Sequence, residues 1–390
     1  MSADRRAFLR FASLAPLAAA WPALARAALD AQAGPLLVLV ELKGGNDGLN
    51  TVIPYADARY AELRPRLAIP RDQVVQLTER TGLHPSLAAL KQTWDAKELA
   101  IVQGVGYPQP NLSHFRSIEI WDTASKSDEY LDSGWVARAF ARSPRPATLA
   151  ADAVVIGNAG MGPLAGRGVR ALSLATPEQF LRNARLARDE GEATRNAALA
   201  HILKVEHDIV SSARRIVPSR AFTQAFPTGP FGASVNTAAQ LAANPSGVAV
   251  VHVSLGSFDT HANQLAQHAA LLRQLGEGLA ALRGALREIG LWDSTVIATY
   301  SEFGRRPREN LSGGTDHGTA SPHFVLGGAV HGGLYGAAPA LDALDGNGNL
   351  PFAVDFRAYY AAFLRHCWGI APRAVFGGDF ESLLLFEKSV

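Results

Sequence analysis

Aspartate, glutamate, histidine and serine are the side chains from which this 390-residue chain would have to build a metal site, because it has a single cysteine, Cys367. One cysteine also forbids an intramolecular disulfide. Six of the 11 histidines (His252, His261, His268, His317, His323 and His331) fall between residues 252 and 331, where even spreading would put about two. Five polar clusters carry the candidate chemistry. The first, Gly44-Gly45-Asn46-Asp47-Gly48, lets the backbone turn sharply and frees the hard oxygens of Asp47 for a divalent cation, or makes Asp47 a plain helix N-cap. It has neither the Gly-x-Gly-x-x-Gly spacing nor a Gly-Lys-Ser/Thr ending, so it is no dinucleotide or phosphate loop.

The second cluster, Asn111-Leu112-Ser113-His114-Phe115-Arg116, sits where a helix through Ile118 and Trp121 would begin. Ser113 is there either a simple cap or a hydroxyl activated by a metal at the positive end of the helix dipole. The third is Ser257-Phe258-Asp259-Thr260-His261, the fourth Ser301-Glu302-Phe303-Gly304-Arg305, and the fifth Gly314-Thr315-Asp316-His317-Gly318 with His323 beyond it. Asp259 and His261 stand two apart, so an extended loop turns both to one side. Asp and His ligands without Cys are the usual composition of a hydrolytic metal site. His268 falls on an apolar helical stripe and His252 lies mid-strand, and both read as structural. Asp345 to Asn349 lacks the glycine and the closing Glu of a calcium loop and reads as a turn. Asp355-Phe356-Arg357 opens a closing helix.

These clusters need a frame, and four near-continuous apolar runs supply it: Leu36 to Leu42, Leu99 to Val105, Gly247 to Leu255 and Ser294 to Tyr300. Such runs suit strands buried on both faces of a parallel sheet. Between the last two, Leu265, Leu272, Leu275, Leu279, Leu282, Leu286 and Ile289 mark an amphipathic helix of nearly thirty residues. Strand, long helix, strand is a crossover unit. The fold expected is α/β, a doubly wound, mostly parallel sheet with helices on both faces. Residues ~176–217 have helical spacing and read as a helical insertion into a single domain spanning 28–390. In open sheets ligands bind beyond the carboxyl ends of the strands, where four of the five clusters fall.

Charge narrows the function classes. The net charge of +2 includes a surplus of +3 in the first 27 residues (Arg5, Arg6, Arg10 and Arg26 against Asp4), which leaves the body near −1. No basic stripe exists for nucleic acid. The N-terminus pairs Arg5-Arg6 with a 15-residue apolar run, Phe11 to Ala25, and the triplet Ala25-Arg26-Ala27. It resembles a twin-arginine export signal cleaved after Ala27, which implies passage through the twin-arginine translocase to the periplasm or beyond. The run is shorter than the ~20 residues of a span and contains Pro16 and Pro22, so no stable membrane anchor is expected.

Taken in order, Glu41-Leu42-Lys43-Gly44-Gly45-Asn46-Asp47-Gly48, Ser113-His114-Phe115, Asp259-Thr260-His261, Ser301-Glu302-Phe303-Gly304-Arg305 and Thr315-Asp316-His317-Gly318 resemble the exported bacterial family called domain of unknown function 1501. That family is similar to the alkaline phosphatase and sulfatase superfamily. The resemblance implies an alkaline phosphatase-like fold and a hydrolase of phosphate or sulfate esters. It implies two divalent metals, zinc or manganese with magnesium or calcium as alternatives, and a small anionic ester as substrate. Asp47, Asp259 and His261 match metal ligands, Ser113 the nucleophile, and Arg116 and Arg305 are candidates to orient the anion. Two registers compete for the other ligands. In one, Asp316-His317 and His323 complete the set; in the other Glu302 takes the acidic place, Phe303 replaces a histidine, and Asp316-His317 come last. The alternative class is a non-catalytic exported scaffold or binding protein that keeps a degenerate metal site.

Overall fold

A computed structural model of the chain describes residues 34–157, 160–174 and 220–386. The expected export signal and the helical insertion at about 176–217 lie outside the described residues. The strands are, in chain order, β1 (Leu36–Leu42), β2 (Val52–Ile53), β3 (Val75–Gln76), β4 (Gly82–Leu83), β5 (Leu99–Gly106), β6 (Ala151–Ile156), β7 (Ala171–Leu174), β8 (Val248–Leu255), β9 (Thr295–Tyr300), β10 (Arg305–Glu309), β11 (Thr315–His317), β12 (Ser321–Leu326), β13 (Gly333–Tyr335) and β14 (Val354–Asp355). Five helices matter for the site and the core: α1 (His114–Thr123), α2 (Trp135–Arg142), α3 (Pro230–Ala243), α4 (Gln264–Glu288) and α5 (Phe356–Trp368).

Nine strands form one sheet in the order β13-β5-β12-β9-β1-β8-β6-β7, with β14 also paired to β5. Only β12 runs antiparallel to its neighbours, so the sheet is mixed and mostly parallel. All seven residues of β1 are buried, and their alternation divides the core in two. Leu36, Val38, Val40 and Leu42 face one layer with Leu272, Leu275, Leu279 and Leu282 of α4 and Phe231 and Val235 of α3. Leu37 and Leu39 face the other, with Trp121 of α1, Trp135 and Phe140 of α2, and Phe356, Tyr360 and Phe363 of α5. Strand period two places successive side chains on opposite faces, and both faces are roofed by helices, as a doubly wound sheet requires. The long helix has 25 residues, and Leu272, Leu275, Leu279, Leu282 and Leu286 of its stripe pack in the core, whereas Leu265, expected with them, is exposed in the first turn.

Two smaller sheets flank this body, β2-β4-β3 and the β10-β11 pair. The antiparallel pair sets His317 opposite Arg305. Asp355 caps α5 by accepting the amide of Arg357, as its sequence position suggests. Asp345 closes a turn by accepting the amides of Asn347 and Asn349.

Candidate metal centre

The loops beyond the carboxyl ends of β1 and β8 are knitted together by the backbone, and the β9 loop joins them through the Ser301 and Glu302 side chains. Lys43 donates to the Leu255 carbonyl at 2.9 Å, and Phe258 donates to the Lys43 carbonyl at 3.0 Å. The approach depends on Gly44 (φ +111°), where a Cβ would lie 2.4 Å from the Asp259 nitrogen. The helix α1, reached from β5, and the β10-β11 pair close over the same place.

At the centre stands Asp259. Burial pushes its carboxyl up, but the Arg305 guanidinium, with His317 and His261, outweighs burial and brings it down to about 2. Three imidazoles turn toward it. His114 Nε2 lies 3.4 Å from Oδ2, while His317 Nε2 and His261 Nε2 lie 3.2 and 3.0 Å from Oδ1. His261 Nε2 and His317 Nε2 are themselves 3.0 Å apart.

Each ring has an acceptor behind it. His114 Nδ1 is 2.9 Å from Glu302 Oε1, which also accepts the Gly44 amide at 2.7 Å. His317 Nδ1 donates to the Leu112 carbonyl at 2.8 Å, and His261 Nδ1 faces Asp316 Oδ1 at 3.5 Å. Asp316 is held by Asn310, whose hydrogen bond keeps its carboxyl below the ordinary range. A neutral imidazole whose Nδ1–H is engaged carries its lone pair on Nε2. Burial pushes His317 below its ordinary value, against the pull of Leu112 and Asp259, so the ring is neutral near pH 7. Neutral His317 therefore points a lone pair at an ionised carboxylate oxygen, an arrangement that a cation between them would satisfy. A histidine whose far nitrogen is pinned by a carboxylate or carbonyl is the usual second-layer arrangement of a metal site. The donor set fits a divalent cation: His114, Asp259 and His317 each offer a ligand atom within 4.8 Å of the others, with His261 at the same carboxylate. Phe303 packs against two of the rings, with centroids 4.9 Å from His114 and 4.5 Å from His317.

Of the residues expected from the sequence, Asp259, His261, Glu302, Asp316 and His317 meet here. Asp47 does not. It is fully buried in a pair with Arg64 (Oδ2 to Nη1 2.6 Å, Oδ1 to Nη2 2.9 Å) and also accepts from Gln264, so its oxygens already have donors. Burial raises its pKa, but the Arg64 charge and hydrogen bonds override this and hold the carboxyl below the usual range. His323 does not meet them either. It lies in the core beside Trp121 and Tyr359, where burial depresses it to about 3. Neither guanidinium is placed as an anion clamp. Arg116 donates to the carbonyls of Lys126, Ser127 and Glu129, pairs with Glu119 and lies over the Tyr130 ring. Arg305 is buried and bonded to the carbonyls of Gly44, Gly45, Phe258 and Thr315, so it braces the loops and orients Asp259.

Ser113 is exposed at the N-cap of α1, yet its hydroxyl makes no capping hydrogen bond. His268 and His252 are structural as expected, the first bonded to Asn46 Oδ1 at 3.0 Å and the second to the Tyr300 hydroxyl at 2.9 Å. Sequence reasoning missed His114 as a candidate ligand. Its signal was position, directly after Ser113 at a helix start beyond a strand end.

A family model described as "Protein of unknown function (DUF1501)" matches residues 100–346, which include all of these histidines. The chain belongs to the DUF1501 family. No curated protein matches it in sequence. Among solved structures, Ps i-CgsB in complex with k-i-k-neocarrahexaose is similar at 11% identity and a TM-score of 0.42, over 89% of this chain and 75% of that one. The PsFucS1 sulfatase from Pseudoalteromonas sp. is similar at 10% identity and 0.38, over 93% and 74%. The lipoteichoic acid synthase LtaP from Listeria monocytogenes is similar at 9% and 0.33, over 79% and 67%. No helix among the described residues is long and apolar enough to cross a membrane.

Proposed function

We propose that this DUF1501 protein is an exported, metal-dependent hydrolase of small phosphate or sulfate esters, holding one divalent cation. The observation that carries this reading is the convergence of three imidazole Nε2 atoms on Asp259, each ring backed at Nδ1 by an acceptor. His114, Asp259, His317 and His261 would hold the cation, with zinc best matched to nitrogen-rich ligation and manganese the next choice. When bound, it would polarise the ester and offset the charge that develops on the transferred group. One cation is proposed instead of two because the Asp47 carboxylate is already neutralised by Arg64.

Ser113 takes the nucleophile's place. Its hydroxyl is exposed, free of capping duty and joined to His114 by one peptide bond. In this reading Ser113 Oγ attacks phosphorus or sulfur, and its proton passes to the departing ester oxygen so that the alcohol leaves. Water then cleaves the seryl ester to release phosphate or sulfate and restore Ser113, with the anion held beside the α1 N-terminus. Glu302 and Leu112 keep two rings in the required tautomer, and Arg305 holds Asp259 in place. Delivery through the twin-arginine translocase would put the activity in the periplasm or outside the cell.

A second reading, an exported binding protein with the same metal, is favoured by the engagement of both Arg116 and Arg305, which leaves neither guanidinium to clamp an anion. The deciding experiment measures metal content of the purified protein by mass spectrometry and screens aryl phosphates and aryl sulfates with added zinc or manganese. About one equivalent of metal with turnover supports the hydrolase. Metal without turnover of either ester class supports the binding protein, and no metal after gentle purification and reloading refutes both.

A further inference from the structure

Apart from the histidine cluster, a cleft opens between the end of β5, the start of β12 and the segments 337–340 and 350–353. Its cavity volume is about 110 Å3, room for several waters or one small organic molecule. Leu49, Val52, Pro322 and Phe352 make its lining apolar. Gly104 and Ala338 complete the lining.

Two neutral polar side chains interrupt the lining. Ser321 is 2% exposed, and its hydroxyl has no hydrogen-bond partner. That hydroxyl lies against Gly48, itself part of the lining, since a Cβ built there would be 3.2 Å from Ser321 Oγ. Gln103 adds an amide to the same surface. Arg305 is the one ionisable residue of the lining, and its guanidinium is engaged with four carbonyls and Asp259. An ionic ligand therefore has no free counter-charge to meet. A buried hydroxyl left without a partner is disfavoured, and a concave apolar surface with one or two convergent polar groups is the usual form of a small-molecule site.

We infer that this cleft binds a small neutral alcohol or phenol, its apolar body against Leu49, Pro322 and Phe352 and its hydroxyl shared between Ser321 Oγ and the Gln103 amide. A hydroxyl ligand both donates and accepts, which matches a lining that offers one hydroxyl and one amide. The site does not depend on the metal centre or on hydrolysis.

The test is calorimetric titration of the full-length protein with 2-naphthol and with cyclohexanol, with circular dichroism to check that each variant is folded. At least one probe should bind saturably at one site. Ala338 is exposed, so Ala338→Trp should fold while filling the cleft, and it should abolish binding. Ser321→Ala should weaken binding roughly five- to tenfold through the lost hydrogen bond. No saturable binding of either probe to the wild type overturns the proposal, as does unaltered binding to Ala338→Trp. Unchanged affinity in folded Ser321→Ala overturns the assigned hydroxyl pairing.

Discussion

Removing the guanidinium of Arg64 tests whether Asp47 belongs to a structural ion pair or to a metal site. Both side chains are fully buried, and Arg64 also donates to Asn50 Oδ1 and to the carbonyls of Arg306 and Pro307. Arg64→Met keeps most of the volume but strands a buried carboxylate with only Gln264 as a side-chain donor. Breaking a buried pair in this way costs about 3–5 kcal/mol. Replacing both partners, Asp47→Leu with Arg64→Met, should cost less than Arg64→Met alone, because no uncompensated charge remains. The assay is urea denaturation followed by circular dichroism at fixed metal concentration. The pH dependence has a definite sign. Asp47 has a folded pKa below its unfolded value, so its contribution is fully present above about pH 4 and is lost as pH falls through the folded value. Arg64→Met should flatten that acid limb. A loss below about 1 kcal/mol for Arg64→Met, or a loss of bound metal in folded Asp47→Asn, would refute the reasoning.

Asp259→Asn and His317→Ala should each abolish the rise in melting temperature produced by zinc or manganese, a rise worth ~2.7 kcal/mol at a hundredfold excess over Kd; scanning fluorimetry reads it, and an unchanged rise excludes these residues as ligands. Ser113→Ala should remove ester turnover while metal content stays the same, and should shift stability by less than the ~1 kcal/mol of a working cap, because the Ser113 hydroxyl caps nothing. Leu279→Ala, in the stripe of α4 that packs on the sheet, should cost ~2–5 kcal/mol in the same urea assay. Replacing Arg5 and Arg6 by Lys should hold precursor in the cytoplasm, checked by fractionation; normal delivery would remove the export assignment.

The sequence alone determined the frame. The runs at Leu36, Leu99, Gly247 and Ser294 each became a strand of the central sheet to within one residue at either end, because a strand covered on both faces is apolar at nearly every position. The leucine spacing of α4 and the polar clusters beyond strand ends were legible for the same local reason: periodicity and turn chemistry are written in neighbouring residues. Which members of those clusters share a site was decided by tertiary structure. Asp47 lies in a loop suited to a ligand, yet Arg64, 17 residues on, reaches it first in the core. His323 belongs to the histidine-rich segment, but its place on β12 turns it between Trp121 and Tyr359. His114, overlooked beside Ser113, becomes central because Glu302, 188 residues away, orients its ring. Such pairings depend on the approach of loops from β1, β5, β8 and β9, fixed by the packing of the sheet and its helices. No spacing along the chain encodes which buried donor a carboxylate will find nearest.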